Sequence, residues 1–274
     1  MKSMILIQRL LGRPLALSAD RTAVVRQMLA MGAGDLALFG AWESDDSSRR
    51  PYDLVAGVAI IRIAGVLMPG SGGSWWWDAV TFYGDIDTAL RQALGDDAVQ
   101  GVALHIDSPG GTVAGCFDLG DRIYAARSVK PIVAIVDEAA YSAAYALASA
   151  AGTIIVPRTG GVGSIGVVGM HVDITGMLDQ AGIKVTTFQF GSRKTDSYPT
   201  TPLTDAATAG FQAEIDELGE LFVATVARNR SLSVDQVRAT QAACFLGQHG
   251  VDAGLADAVM SADDAMAEFI ASLS

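Results

Sequence analysis

Hydrophobic residues in the central part of the chain change several times from helical spacing to short continuous runs and back. This pattern predicts, in order, a helix (85–95), a buried strand (102–106), a helix (114–127), a strand (131–136), a helix of small residues (142–151) and a strand (153–156). The strand segments are apolar along almost their whole length, which is typical of strands covered on both faces. Such strand–helix alternation predicts an α/β fold with a mostly parallel sheet flanked by helices.

The flanking segments predict three parts of the chain. Residues 1–50 are expected to form an N-terminal helical arm and linker, with a helix at 20–32 and a polar, turn-rich stretch at 43–51. Residues 51–260 are predicted to form the main domain, which begins with a β-branched apolar run. Residues 261–274 are predicted to form a helical tail.

Two further elements are predicted in the second half of the main domain. Val185–Phe190 has the composition of a strand. Residues 204–230 predict a long amphipathic helix, because apolar residues recur at spacings of three or four: Phe211, Ile215, Leu218, Phe222 and Val226.

Composition narrows the class of protein. The chain has 274 residues, half of them hydrophobic and 18% charged, which is enough to build a sizeable buried core. Its net charge of −11, with no basic run longer than Arg49-Arg50, argues against binding to a nucleic-acid backbone. No His/Cys/Asp cluster has metal-ligand spacing, and Gly110-Gly111 is not followed by a dinucleotide-site glycine pattern. We therefore expect no metal and no cofactor.

Cysteine usage and the apolar runs suggest a cellular compartment. Cys116 and Cys244 lie in apolar surroundings and are expected to be buried free thiols, which fits a reducing environment. No run of 18 apolar residues occurs, so no transmembrane helix or membrane anchor is predicted. The first residues lack the cleavage pattern of a signal peptide. These features predict a cytoplasmic protein.

Ser142 is the first candidate for chemistry. It opens the helix of small residues directly after the apolar strand that ends at Val136. A serine in that position lies beside backbone amides and the positive end of a helix dipole, and both favour a developing oxyanion. Read alone, the same position is by default that of a helix N-cap.

Two other segments become candidates because of where the fold should place them. Ser108-Pro109-Gly110-Gly111 follows a buried strand, so it should lie at the same carboxyl edge of the sheet as Ser142. The two adjacent glycines allow close backbone approach and can supply oxyanion donors, although a plain tight turn would show the same residues.

Lys194 lies in a polar loop and would ordinarily be solvated. If it were removed from water beside Ser142, its neutral amine could accept the serine proton.

Together, these segments resemble the signal peptide peptidase A family of serine peptidases. The resemblance is carried, in order, by the strand near 58–63, Ile106–Gly111, Ala140–Tyr145, Val162–Val167, the Gly191–Lys194 loop and Gly254–Asp257. It covers about three quarters of the chain, and the joint order of the motifs is more specific than any one of them. It implies a Clp protease/crotonase-like fold built from repeated ββα units.

The resemblance also assigns roles to individual residues. It implies Ser142 as the nucleophile, Lys194 as the general base and Ser164 as the residue that orients the lysine amine. The backbone amides of Gly110, Gly111 and Ala143 are the implied oxyanion donors. The single-repeat arrangement implies a homo-oligomer, in the form of a ring, in which neighbouring chains can share an active site.

The residues around the motifs, at Gly166–Asp173, Pro202–Thr204 and Ala227–Arg230, are similar to those of the head-maturation (prohead) proteases of tailed phages. This implies a peptide or protein substrate such as a scaffold, capsid or portal precursor, cleaved in the host cytoplasm or inside proheads. A housekeeping peptidase of the bacterial cytoplasm is the alternative within the family. From other classes, an acyl-CoA-binding crotonase relative or an inactive scaffold component remains open, although neither needs both Ser142 and Lys194.

Trp75-Trp76-Trp77 follows a glycine-rich loop and has two interpretations. An exposed aromatic cluster would form a lid or a protein contact. Packing of at least one tryptophan into the same domain is the alternative.

Overall fold

The computed structural model describes residues 15–17, 50–72 and 80–273. The predicted helix at 20–32, most of the predicted linker and Trp75-Trp76-Trp77 lie outside the described residues. For residues 15–17, the structure describes the backbone. The described residues form strands β1 (Leu15–Leu17), β2 (Asp53–Val55), β3 (Val58–Met68), β4 (Val80–Phe82), β5 (Gly101–Thr112), β6 (Ile132–Tyr141), β7 (Thr153–Val156), β8 (Gly161–Gly163), β9 (Cys244–Leu246) and β10 (Ala258–Val259).

Eight helices are described between and after these strands. They are α1 (Tyr83–Gly95), α2 (Cys116–Ala126), α3 (Ala143–Ser149), α4 (Thr175–Gln180), α5 (Asp205–Arg230), α6 (Val234–Ala239), α7 (Gln248–Asp252) and α8 (Ala262–Ser272). The helices predicted at 85–95, 114–127 and 204–230 are therefore confirmed, with small shifts at their ends. Residues 261–274, predicted as a tail, contain α8.

The strands form one mixed sheet in which the central strands run parallel. Its main order is β10-β7-β6-β5-β3-β2, and β4 extends it beside β3. Strands β3, β5, β6, β7 and β10 are parallel to their neighbours on this path, while β2 is antiparallel to β3. The predicted α/β fold with a mostly parallel sheet flanked by helices is confirmed.

Side chains of alternate residues of the central strands enter two separate apolar layers. In β5, Leu104 and Ile106 pack on the side of α1, α2, α3 and the second half of α5, whereas Ala103 faces α8. Burial on both faces explains why these strands have no regular polar alternation. The helices thereby hold the carboxyl ends of β5 and β6 in fixed positions.

Two features of the predicted strands are different in the structure. β5 continues through Ser108–Gly111, which was predicted as a turn, and its pairing is irregular on both sides of this segment. The strand predicted at Val185–Phe190 is wrong, since these residues are exposed and have no strand pairing within the described chain. A segment with strand composition needs a neighbour to accept its backbone hydrogen bonds, and the described residues supply none here.

Long apolar side chains are concentrated on one exposed segment, residues 168–203, which we call the arm. None of its residues is buried. Nine of the fourteen large hydrophobic side chains that are exposed in the described part of the chain lie between Val168 and Tyr198. Phe188 and Phe190 are 92% and 101% exposed. Such a concentration of exposed apolar surface is typical of a protein-contact surface.

The two cysteines have different surroundings. Cys116 is a buried free thiol, as predicted, and burial raises its pKa to about 12. The prediction of burial is wrong for Cys244, which is exposed on the short edge strand β9. An edge strand of three residues leaves side chains uncovered even when their sequence neighbours are apolar.

Candidate active site at the carboxyl edge of the sheet

Ser142 lies at a sharp turn from β6 into α3. Its backbone has φ 54° and ψ −121°, a conformation that residues with a side chain rarely adopt. An N-cap serine normally has extended backbone angles and accepts a hydrogen bond from the first turn of the helix. Ser142 has neither feature. The geometry therefore favours a strained strand-to-helix turn that aims the hydroxyl, as at other serine nucleophiles, over a simple helix cap.

Ser142 and Ser164 are held beside each other at the ends of neighbouring strands. β8 pairs in parallel with the end of β6, so that Tyr141 is opposite Gly163. The amide of Ser142 donates to the carbonyl oxygen of Gly163 at 2.8 Å, and the amide of Ser164 donates to that of Ala243 at 2.9 Å. Both serines are buried, and both have φ of 54°.

The two glycines of β5 are required for different reasons. Gly110 has φ of 104°, which is unfavourable for any residue with a side chain. At Gly111, a Cβ atom would lie 1.9 Å from the carbonyl oxygen of Leu67 on the neighbouring strand β3. The parallel pairing of Ser108 with Ala140 brings this segment level with the end of β6. The structure therefore brings Gly110 and Gly111 to the same edge of the sheet as Ser142.

Ser108 holds the Gly110 segment in place, a role that sequence reasoning missed. Its buried hydroxyl donates to the carbonyl oxygen of Gly65 at 2.6 Å and accepts from the amide of Gly110 at 3.1 Å. Because that amide is already engaged, Gly110 would have to exchange Ser108 for a substrate oxygen before acting as an oxyanion donor. A serine two residues before a glycine is the local signal that could have indicated this contact.

The first residue of α3 follows Ser142 directly and carries the third candidate oxyanion amide. Ala143 is the first residue of α3, where backbone amides have no partner within the helix. Its carbonyl oxygen accepts a weak hydrogen bond from the thiol of Cys116 at 3.5 Å. Every residue of α3 is buried, so packing against the surrounding core holds the helix in place.

Lys194 is not part of this cluster within a single chain. It lies in a turn of the arm, where its amide donates to the carbonyl oxygen of Gly191 at 3.2 Å, and its side chain is exposed. Within the described residues, the hydroxyl of Ser142 has one hydrogen bond, to the carbonyl oxygen of Gly166 at 3.4 Å. The structure thus joins Ser142, Ser164, Gly110, Gly111 and Ala143 and leaves Lys194 outside.

The Gly254–Asp257 motif anchors the end of α5 to the sheet. The guanidinium of Arg230 donates to both carboxylate oxygens of Asp257, at 2.9 and 2.7 Å, and its Nε donates to the carbonyl oxygen of Gly254 at 3.1 Å. Asp257 also accepts from the amide of Ile154 at 2.7 Å. The hydroxyl of the buried Tyr145 in α3 donates to the carbonyl oxygen of Leu255 at 2.9 Å. This motif is structural and supports the helix that follows Ser142.

These features define a class of site. A strained serine at a strand-to-helix turn, next to the first amide of a helix and a glycine-rich strand, suits nucleophilic attack on a carbonyl group. This half of the site contains a nucleophile and oxyanion donors, and it needs a base from elsewhere.

Comparison with known proteins agrees with this class. The model of peptidase family S49 matches residues 125–272, and the chain belongs to that family. The match includes β6 with Ser142, the arm with Lys194 and the Gly254–Asp257 motif.

Individual relatives are similar over most of this chain. It is 42% identical to the head-tail preconnector protein GP5 of Enterobacteria phage P21 over 217 residues, 79% of this chain and 43% of that protein. It is 36% identical to the capsid assembly protease C of Escherichia phage lambda over 233 residues, 84% of this chain and 52% of that protein. Protease 4 of Salmonella typhi is 26% identical over 237 residues, 82% of this chain and 36% of that protein. The chain spans about half the length of the two phage relatives.

No helix in the described part of the chain combines the length and the apolar composition needed to cross a membrane.

Proposed function

We propose that this protein is a serine endopeptidase that uses Ser142 as its nucleophile and Lys194 as its base. The observation that carries the proposal is the backbone of Ser142, a buried serine with φ 54° that makes no capping hydrogen bond. Strain of this kind persists only where the surrounding structure imposes it, and it concentrates at functional sites. Family membership supports the same reaction class.

The reaction would proceed through an acyl-enzyme. The neutral amine of Lys194 removes the proton of Ser142 as its oxygen attacks the scissile carbonyl. The amides of Ala143, Gly110 and Gly111 stabilise the oxyanion, and the protonated lysine then gives its proton to the leaving amine. Water repeats the sequence on the ester, which releases the acyl product and restores both side chains. Ser164, beside Ser142, would orient the lysine amine.

The exposed position of Lys194 supports an active site that is completed between chains. The arm carries Lys194 together with the exposed Phe188 and Phe190, which suits contact with a neighbouring copy. Burial of the arm against that copy would remove the lysine from water and favour its neutral form. The active form would then be a homo-oligomer, a closed ring, in which the lysine of one chain serves the serine of the next.

The substrate class follows from the two phage relatives. Their names refer to capsid assembly and to the head-tail preconnector, so we assign this protein to the cleavage of scaffold, capsid or portal precursors during phage head maturation. Its place of action would be the cytoplasm of the bacterial host or the interior of the prohead. The experiment for this part is incubation with these precursors and, in parallel, with an unfolded casein. Site-limited cleavage of the precursors supports the assignment, and equal degradation of both favours a housekeeping peptidase.

The nucleophile can be tested directly with a fluorophosphonate probe followed by peptide mapping. The label should appear on Ser142, and Ser142→Ala should lose labelling and peptidase activity while keeping the fold. Ser149→Ala is the matched control, because Ser149 lies in the same helix but contacts Ala146 and Asn229 instead of the site. Retained turnover in Ser142→Ala, or a label on another serine, would contradict the proposal.

A further inference from the structure

The carboxyl end of β5 has one paired side and one side that its neighbour leaves open. Gly110 and Gly111 pair with Val66 and Leu67 of β3 on one side. On the other side, β6 pairs with β5 as far as Ser108, opposite Ala140. β6 then ends, and the chain turns at Ser142 into α3. The backbone of Gly110–Thr112 therefore presents a free strand edge directly beside the nucleophile.

The chain fills this edge with its own strand β1. Leu15, Ala16 and Leu17 pair antiparallel with Thr112, Gly111 and Gly110. Since a strand has only two neighbours in a sheet and β3 occupies one side, β1 lies on the side that β6 has left. It therefore lies in line with the end of β6, in the position beside Ser142 where an extended peptide would be held.

The direction of β1 matches that of a substrate. The register that pairs Ser108 with Ala140 places Gly110 level with Ser142, two residues further along both strands. Leu17, opposite Gly110, is therefore the residue of β1 closest to the level of the nucleophile. From Leu15 to Leu17, β1 therefore runs toward Ser142 in the N-to-C direction. The acyl part of a substrate must run toward its scissile bond in the same direction.

We infer that the edge Gly110–Thr112 binds extended peptides as an added antiparallel strand, and that Leu15–Leu17 of the same chain is its resident occupant, which a substrate must displace. This inference rests on the proposed function of Ser142. Strand addition draws its affinity from main-chain hydrogen bonds, so one edge can accept peptides of different sequence. The far end of the edge is fixed, because the buried Tyr83 donates to the carbonyl oxygen of Thr112 at 2.6 Å.

A tethered occupant weakens the binding of free peptides by competition. A tethered segment has an effective concentration set by the length of the chain that joins it, here residues 18–49, and on the order of 1 mM is a reference value for such tethers. If the segment itself binds with a Kd of about 100 μM, its presence weakens the apparent affinity of a free peptide about tenfold. The protein would therefore act on segments presented at high local concentration and spare dilute peptides.

The experiment uses the full chain carrying Ser142→Ala, so that binding is measured without turnover. The probe is a fluorescein-labelled peptide with the sequence of residues 12–20, titrated by anisotropy. Ala16→Pro/Leu17→Pro in the protein should tighten its binding about tenfold, since one of any two adjacent strand residues directs its amide toward the neighbour and proline has none. Ala16→Val/Leu17→Ile is the matched control, which keeps both amides and should bind like the parent.

The outcomes separate the possibilities. The same peptide carrying both prolines should fail to bind any of the proteins. Equal affinity of all three proteins for the unmodified peptide, or no binding to any of them, overturns the inference. Affinity that weakens as the protein concentration is raised tenfold would place the strand of a second copy in the site and overturn the same-chain assignment. None of these binding results depends on catalysis. A fluorophosphonate label on another serine would therefore reject the proposed function, while the titration would still test whether Leu15–Leu17 competes with free peptides.

Discussion

The two halves of the proposed active site lie in regions of opposite character. The sheet edge around Ser142 is almost fully buried: Ser108 and Ser142 are 0% exposed, and Ser164 is 8% exposed. The arm that carries Lys194 has no buried residue, and its two phenylalanines are more than 90% exposed. The first region obtains its geometry from packing within the chain, whereas the second presents apolar surface that the chain alone does not cover.

This difference indicates how the activity would be controlled. Backbone strain at Ser142 is maintained by the sheet and α3 in each single chain. A lysine base is useful only when it is held near the serine and away from water. In the proposed ring, each chain therefore positions its own nucleophile, a substrate displaces β1 to reach it, and assembly adds the base.

The largest effect should come from the lysine itself. Lys194→Ala and Lys194→Arg should each reduce kcat/KM by about a thousandfold, because alanine has no base and a guanidinium stays protonated near neutral pH. Lys184→Ala, at another exposed lysine of the arm, is the matched control and should keep most of the activity. A Lys194→Arg variant with near wild-type turnover would show that the base lies elsewhere.

Mixing inactive variants tests whether the two regions come from different chains. Ser142→Ala and Lys194→Ala, dissociated together and reassembled in equal amounts, should recover about a quarter of wild-type turnover, since random neighbours in a ring form an intact pair at that frequency. Each variant reassembled alone is the control. If both components form mixed oligomers and the mixture stays inactive, the serine and the lysine of an active site belong to one chain. The arm would then have to move to bring Lys194 to Ser142 of the same chain.

Substitutions at the two exposed phenylalanines of the arm should affect assembly without affecting the fold. Phe188→Ser/Phe190→Ser should shift the protein toward monomer in light scattering and lower activity in parallel, because both side chains are exposed in the single chain. Val129→Ser, at a residue 63% exposed outside the arm, should leave the oligomer unchanged. The free energy of unfolding of the monomer should change by less than about 0.5 kcal/mol in either case. Unchanged oligomers in the arm variant would contradict the proposed contact.

The packed region could be predicted from the sequence because its signals are local. Apolar runs define the cores of β5 and β6, and small residues after a buried strand mark α3 and Ser142. The extension of β6 past Val136 could not be predicted, since Asp137 and Glu138 are polar and this part of the strand depends on the distant β8. Pairing of Leu15–Leu17 with the site was equally inaccessible, because three residues carry too little pattern.

The arm could be predicted only in part, for the opposite reason. The apolar residues of Val185–Phe190 indicate a strand, but the described chain contains no neighbour for it. Apolar composition indicates that these residues pack against a partner surface. It does not indicate whether that surface belongs to the same chain or to another one. The roles of Ser142 and Lys194 rested on the order of several motifs, and the geometry of Ser142 now supports the first of them independently.

The long helix α5 joins the two regions, and its ion pairs should differ in strength. Asp257→Ala should lower the free energy of unfolding by about 2 kcal/mol, because it leaves the Arg230 guanidinium, whose side chain is 9% exposed, without its bidentate partner. Glu220→Gln, which removes the exposed partner of Arg238, should change it by less than about 0.5 kcal/mol. Urea denaturation measures both. Equal effects would mean that the end of α5 is no better anchored than its exposed part.

The smallest effect concerns the two thiols and tests how tightly the region beneath Ser142 is closed. Burial raises the pKa of Cys116 to about 12, so its thiol stays protonated near neutral pH, and the side chain is covered by α3. A disulfide reagent such as DTNB should therefore react quickly with one thiol per native chain, the exposed Cys244, and with both after unfolding. Cys244→Ser should remove the fast reaction, and Cys116→Ser should leave it unchanged. Two fast thiols in the native protein would mean that α3 opens readily, which is incompatible with a nucleophile held in place by packing alone.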